Sequence, residues 1–228
     1  MNVLDLIMRP KALAEKIGKR PSWLVPLIVL CAAHVAIFEL SAPLYRESVL
    51  RQLPDSATQH DRSIVVRHIG EEAVVRSAIV PVRVTVGCLL DALVLWFVVS
   101  ALNPPVRVRY NQLFSSIVNA DFLLLGSRIA LYAGMTLGSE HATSPLLQNP
   151  LSPAALVGGG DFWLRHLLNQ IDPFLIWYMI LLTALISGLT QMRWRRGFAA
   201  VVGVNLAWLV TDASVVHFLM SAMHLRLQ

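Results

Sequence analysis

Five stretches of this 228-residue chain, at about 22–41, 82–102, 112–134, 172–190 and 197–220, come close to the length needed to cross a lipid bilayer. A hydrocarbon core about 30 Å thick takes roughly 20 apolar residues at ~1.5 Å of rise each. Lipid offers no partner to an open backbone, so every such stretch has to be helical. The fold class that follows is all-α: a polytopic membrane protein with five transmembrane helices. Composition agrees, with 56% of residues hydrophobic and 14% charged, against roughly 25% charged in a soluble domain. The formal charge of +5 would suggest nucleic acid in a soluble protein. Here the basic residues stand beside apolar segments, so anionic lipid headgroups are the expected counter-charge and no nucleic-acid partner is.

Short-loop lysines and arginines set the orientation. Arg9, Lys11, Lys16, Lys19 and Arg20 precede the first stretch, Arg107 and Arg109 join the second to the third, and Arg193, Arg195 and Arg196 join the fourth to the fifth. These face only Asp5 and Glu15, whereas the 42–77 segment balances its five arginines with five acidic residues. The N-terminus is therefore expected in the cytoplasm and the C-terminus outside. Trp23 and Trp194 fall at inner boundaries and Trp163 near an outer one, as an amphipathic indole prefers. Trp96, Trp177 and Trp208 lie within stretches and read as packing residues.

Residues 1–21 form a cytoplasmic leader in which Leu4, Ile7, Met8, Leu13 and Ile17 recur with helical spacing beside a basic face. It reads as an interfacial amphipathic helix in the inner headgroup layer. A single five-helix domain, 22–220, follows, with outer loops at 42–77 and 135–170 and a short outer tail at 221–228. Within the first loop, the stretch through Val66, Ile69 and Ala73 has helical periodicity and runs into the second span near Pro81. In the second loop, three prolines and the Gly158 to Gly160 run indicate irregular chain, and no phosphate-loop pattern accompanies the glycines.

Three charges fall at membrane depth. Asp91, Arg128 and Asp212 sit about nine, six and eight residues from the outer ends of their spans, and any one of them facing lipid alone would cost about 2.5–3.5 kcal/mol. Asp121 is seven residues before Arg128 and shares its helix face. The expectation is an intramembrane ion-pair cluster of Asp91, Arg128, Asp212 and Asp121, with Arg128 bridging helices through Asp91 or Asp212. The plainest reading is structural, holding the helices in register; the functional one is a polar cavity for an ion, a proton or a lipid headgroup. His34 reads as a satisfied interior histidine, and Asn119 and Asn205 as deeper hydrogen-bonding groups.

Chemistry-bearing motifs are missing from the sequence: no GxSxG, no HExxH, and no Cys or His set at ligand spacing, so neither catalytic residues, metal nor cofactor is expected. Cys31 and Cys88 read as small buried hydrophobes. His217 and His224, seven apart, lack further ligands. An intramembrane aspartyl hydrolase is the remote alternative, and an arginine at matching depth opposes the shared proton that such a pair needs.

Two segments carry a family resemblance. "LLNQIDPFLIWYMILLTALISGL", residues 167–189, places Asp172, Phe174, Trp177 and Gly188 as they stand at the fourth span of bacterial YIP1-family proteins. "RPKALAEKIGKRPSWLVPLIVL", residues 9–30, is similar to that family's opening through Pro10, Pro21, Trp23 and Pro26. The resemblance implies a five-span bacterial inner-membrane protein without enzymatic residues, which assists other membrane machinery such as an efflux complex. The eukaryotic members' DLYGP signature is absent, so their GTPase association does not carry across. The Asp-Pro pair also has a local explanation, since Pro suits the first helical position and Asp before it caps the free amides.

The sequence thus predicts a non-enzymatic interaction or accessory factor whose partners are membrane lipids, other membrane proteins or a second copy of itself. A small transporter or channel built on the charge cluster is the competing function.

Overall fold

The computed structural model describes residues 9–51, 53, 58–102, 108–137, 149–156 and 162–225. Every regular element among them is helical: α1 (Pro10–Lys19), α2 (Leu24–Arg51), α3 (Gln59–Leu102), α4 (Tyr110–Ala120), α5 (Phe122–Leu137), a short 3-10 helix (Pro153–Leu156), α6 (Phe162–Gln170), α7 (Pro173–Thr190) and α8 (Trp194–Leu225). Five segments are long and apolar enough to cross a membrane: Leu24–Leu44, Ser77–Leu102, Tyr110–Gly134, Pro173–Thr190 and Trp194–Phe218. The chain is thus built as a multi-pass membrane protein, and these segments fall on the five apolar stretches of the sequence. The third of them is two helices, α4 and α5, meeting at Asp121.

Helix α4 is the central pillar. Its last eight residues, Leu113 to Ala120, are all buried, with α1, α2, α3 and α7 packed around them. The small side chains of Ser115 and Ser116 let those neighbours come close, and both hydroxyls are satisfied. Ser115 donates to the Ser22 carbonyl at 3.2 Å and Ser116 to the Gln112 carbonyl at 2.9 Å.

The connections α1–α2, α3–α4 and α7–α8 share one end of the bundle, the basic end. There Gln112 donates to the Gly18 carbonyl at 3.0 Å, and α1 packs along α7. Leu13, Ala14 and Ile17, the apolar side of α1, are buried, while Lys11, Glu15, Lys16 and Lys19 point outward. The leader helix thus lays its apolar side on the protein and turns its charged side outward. Contact is closest where Gly188 meets Ala14, because a Cβ at position 188 would lie 2.8 Å from the Ala14 Cβ. Gly188→Val is expected to lift α1 off α7. Overpacking at about 1–3 kcal/mol corresponds to about five- to 150-fold greater exposure of α1. Trypsin cleavage after Lys16 and Lys19 should accelerate accordingly, and an unchanged rate would show that the seam does not hold the leader.

At the far end two helices run on past the apolar segments. Helix α2 continues through Pro43 to Arg51, and α3 begins at Gln59, so most of the described part of 42–77 is helix rather than loop. The two extensions line one groove, through Leu50 of α2 and Gln59 to Arg67 of α3. The 135–170 segment likewise contains the 3-10 helix and α6, which lies against α8; the glycines at 158–160 lie outside the described residues.

Candidate functional site: a polar crevice in the far half of the bundle

The third span is interrupted at Asp121. Just before it, the Asn119 amide donates to the Ser115 carbonyl at 2.6 Å. Just beyond, Leu124 N–H donates to the Asp121 carbonyl at 3.0 Å, a three-residue bond that tightens the turn. Asn119 is 1% exposed and its Oδ1 has no partner. With Asp121 twelfth of the 25 residues between Tyr110 and Gly134, the break falls at mid-span.

The break redirects the chain. Helix α4 packs extensively on α3, whereas α5 leans chiefly on α2 and α7. Spans two and three therefore part above Asp121. Polar side chains gather at the apex, where the thiol of buried Cys88 donates to Asp121 Oδ2 at 3.8 Å. Asp91, the Trp208 side chain and fully buried Tyr178 stand close by.

Farther out, Arg83 on α3 and Arg128 on α5 are both exposed. The two guanidinium groups are electrostatic neighbours, and His34 on α2 is a neighbour of both. Register explains the His34 position. Cys31 Sγ touches the Pro81 carbonyl at 3.8 Å and Thr85 Oγ1 at 3.9 Å, which fixes α2 against α3 one turn below His34. The His34 Nδ1 pairs with the Leu30 carbonyl at 3.0 Å, as expected of a satisfied histidine.

The carboxylates near Arg128 are Asp121, Asp172 and Asp212, but among the described residues Arg128 forms no ion pair with Asp91 or Asp212. Asp212 is engaged by α6: its Oδ2 lies 3.0 Å from His166 Nε2 and accepts from Gln170 Nε2 at 2.8 Å. Asp91 sits deeper, at the apex with Asp121. The expected bridge is replaced by two separate arrangements, a carboxylate apex and an outer basic pair.

Asp172 is only 2% exposed and caps α7, accepting from Leu175 N–H at 2.8 Å while Asn149 donates to its second oxygen at 2.8 Å. The other motif positions lie in contact with their neighbours. The Phe174 ring rests on Gly126, Trp23 meets Phe114 edge-on at 5.3 Å, Pro10 opens α1, Pro26 is buried in the first turn of α2 and Pro21 is exposed between the two helices. Trp177 and Trp208, read as packing residues, are 45% and 41% exposed, and the Trp208 side chain meets Asp91. Trp96 is half-buried and donates to the Val108 carbonyl at 3.0 Å. Asn205 donates along its own helix to Val201 at 2.8 Å. His217 is exposed, and the His224 side chain lies outside the described residues.

Sequence reasoning passed over Arg83. Counted from residue 82 it stands at a span boundary, but the apolar helix starts at Ser77, which puts Arg83 at the depth of Arg128. Asn149, the partner of Asp172, carried no signal beyond its place in a loop. Scans of family models, of curated proteins and of solved structures find no match for this chain.

Proposed function

We propose that the chain is a non-enzymatic, YIP1-like accessory protein of the bacterial cytoplasmic membrane, with its basic end in the cytoplasm, acting through contact with other membrane proteins. The observation that carries this reading is the length of α3. Its 44 residues extend about 66 Å, more than twice a ~30 Å hydrocarbon core. Residues Gln59 onward to the start of the second span at Ser77 therefore stand outside as a post, braced at its foot by α2. Between the two helices lies an open groove of about 340 Å³ lined by Leu50, Gln59, Arg62, Ser63, Val66 and Arg67. An apolar floor with an arginine rim suits a partner segment that presents apolar and acidic side chains.

A photo-reactive side chain placed at Ser63 in intact membranes tests this. A discrete cross-linked partner protein, lost when Arg62 and Val66 are both changed to Asp, is the expected result. Cross-linking only to lipid would remove the basis for the accessory role. The broken third span, with Asp91 and Asp121 at its apex, favours a second reading, a small transporter or channel. Solute flux through liposomes of the purified protein, abolished by Asp121→Asn, would select that reading instead.

A further inference from the structure

Arg83 and Arg128 present an arrangement that neither reading uses. Arg83 is six residues inside Ser77 and Arg128 six residues inside Gly134, so both Cα atoms lie about 9 Å below the far ends of their spans. They are electrostatic neighbours on two helices, α3 and α5, that both pack against α2, which carries His34 beside them. Both guanidinium groups are exposed, and none of their N–H groups donates to a protein acceptor among the described residues. Of the carboxylates near Arg128, Asp121 accepts from the Cys88 thiol at the apex, and Asp172 and Asp212 are engaged by α7, Asn149, His166 and Gln170.

Two like charges side by side at this depth repel strongly in low dielectric. An arginine acting as a lone headgroup anchor needs no second one beside it. We infer that Arg83 and Arg128 together form a binding site for the phosphate of a glycerophospholipid, seated where spans two and three part. Each guanidinium offers a planar fork of five donors that matches phosphate oxygens in pairs. Their flexible stems carry those forks up toward the headgroup layer, and the acyl chains of the lipid lie along the apolar flanks of α3 and α5. This inference stands independently of the accessory and transport readings.

The test is native mass spectrometry of the full chain in detergent, titrated separately with dioleoylphosphatidylglycerol, with dioleoylglycerol, which lacks the phosphate, and with inorganic phosphate. Wild type is expected to retain phosphatidylglycerol and not dioleoylglycerol. Arg128→Gln should weaken retention about tenfold, and the Arg83→Gln, Arg128→Gln pair further. Lys11→Gln, at the basic end, should leave retention unchanged. The Arg83→Lys, Arg128→Lys pair keeps both charges, and so insertion, but lacks the forked donors; it too should lose most of the retention while melting like wild type. Retention by the double Gln variant equal to wild type, or equal retention of dioleoylglycerol, overturns the site. Displacement of the lipid by inorganic phosphate at comparable concentration overturns the lipid as its source.

Discussion

Asp172→Ala is expected to destabilise the protein by about 2–5 kcal/mol, read as the shift in its unfolding curve in mixed detergent micelles. Two losses combine. Removing the cap of α7 costs about 1–2 kcal/mol, and leaving the Asn149 amide buried without its acceptor costs about 1–3 kcal/mol. Solvent does not rescue either group, because Asp172 is 2% and Asn149 4% exposed. Asp172→Asn separates the two. Its amide oxygen still accepts from Leu175, but an amide nitrogen then opposes the Asn149 amide, so its cost should fall between wild type and the Ala variant. Asn149→Ala combined with Asp172→Ala should cost less than the sum of the singles, with a coupling of about 0.5–3 kcal/mol. An Ala variant within about 0.5 kcal/mol of wild type, the range of an ordinary surface change, would mean that the cap and its loop partner do not hold α7 in place.

That carboxylate also marks how far a sequence can be read here. Its role as a cap was legible because Asp-Pro at a helix start acts within four residues. The five spans were legible for a similar reason, since bilayer thickness converts directly into a run of apolar residues. Partnership was not legible: Asn149 reaches Asp172 across 23 positions, and no periodicity encodes that. The break at Asp121 was hidden as well, since apolar residues continue through it. Depth counting found Arg128 and missed Arg83, because it took the span from residue 82 while the helix stays apolar from Ser77. The expected Arg128 bridge is a matter of partnership rather than depth. Asp212 is an electrostatic neighbour of Arg128, but its carboxylate is taken by His166 and Gln170 of α6, a nine-residue helix. The resemblance, in turn, singled out two distant segments, 9–30 and 167–189, without saying that they touch. The fold brings them together where Gly188 meets Ala14.

Gly126→Ala should be harmful in this chain and harmless once one other residue is changed. In a helix interior the exchange normally gains about 0.5–1 kcal/mol. Here a Cβ would lie 2.9 Å from Phe174 Cζ and closer still to Cε1 and Cδ1, and overpacking of that kind costs about 1–3 kcal/mol. The clash outweighs the propensity because the ring has little freedom to retreat. Phe174 is the second residue of α7, two positions after the Asp172 cap that anchors the turn. In a Phe174→Leu background the obstruction is reduced, and Gly126→Ala should become neutral or stabilising by up to about 1 kcal/mol. A double-mutant cycle read by unfolding in mixed micelles measures this as a coupling of about 1–3 kcal/mol. The same displacement reaches the crevice, since Arg128 follows Gly126 by two residues on α5, so Gly126→Ala should also weaken phosphatidylglycerol retention while Phe174→Leu restores it. Additive effects on stability would show that α5 and α7 are not held together by this ring, and that the position of Arg128 is set by something other than the seam beneath it.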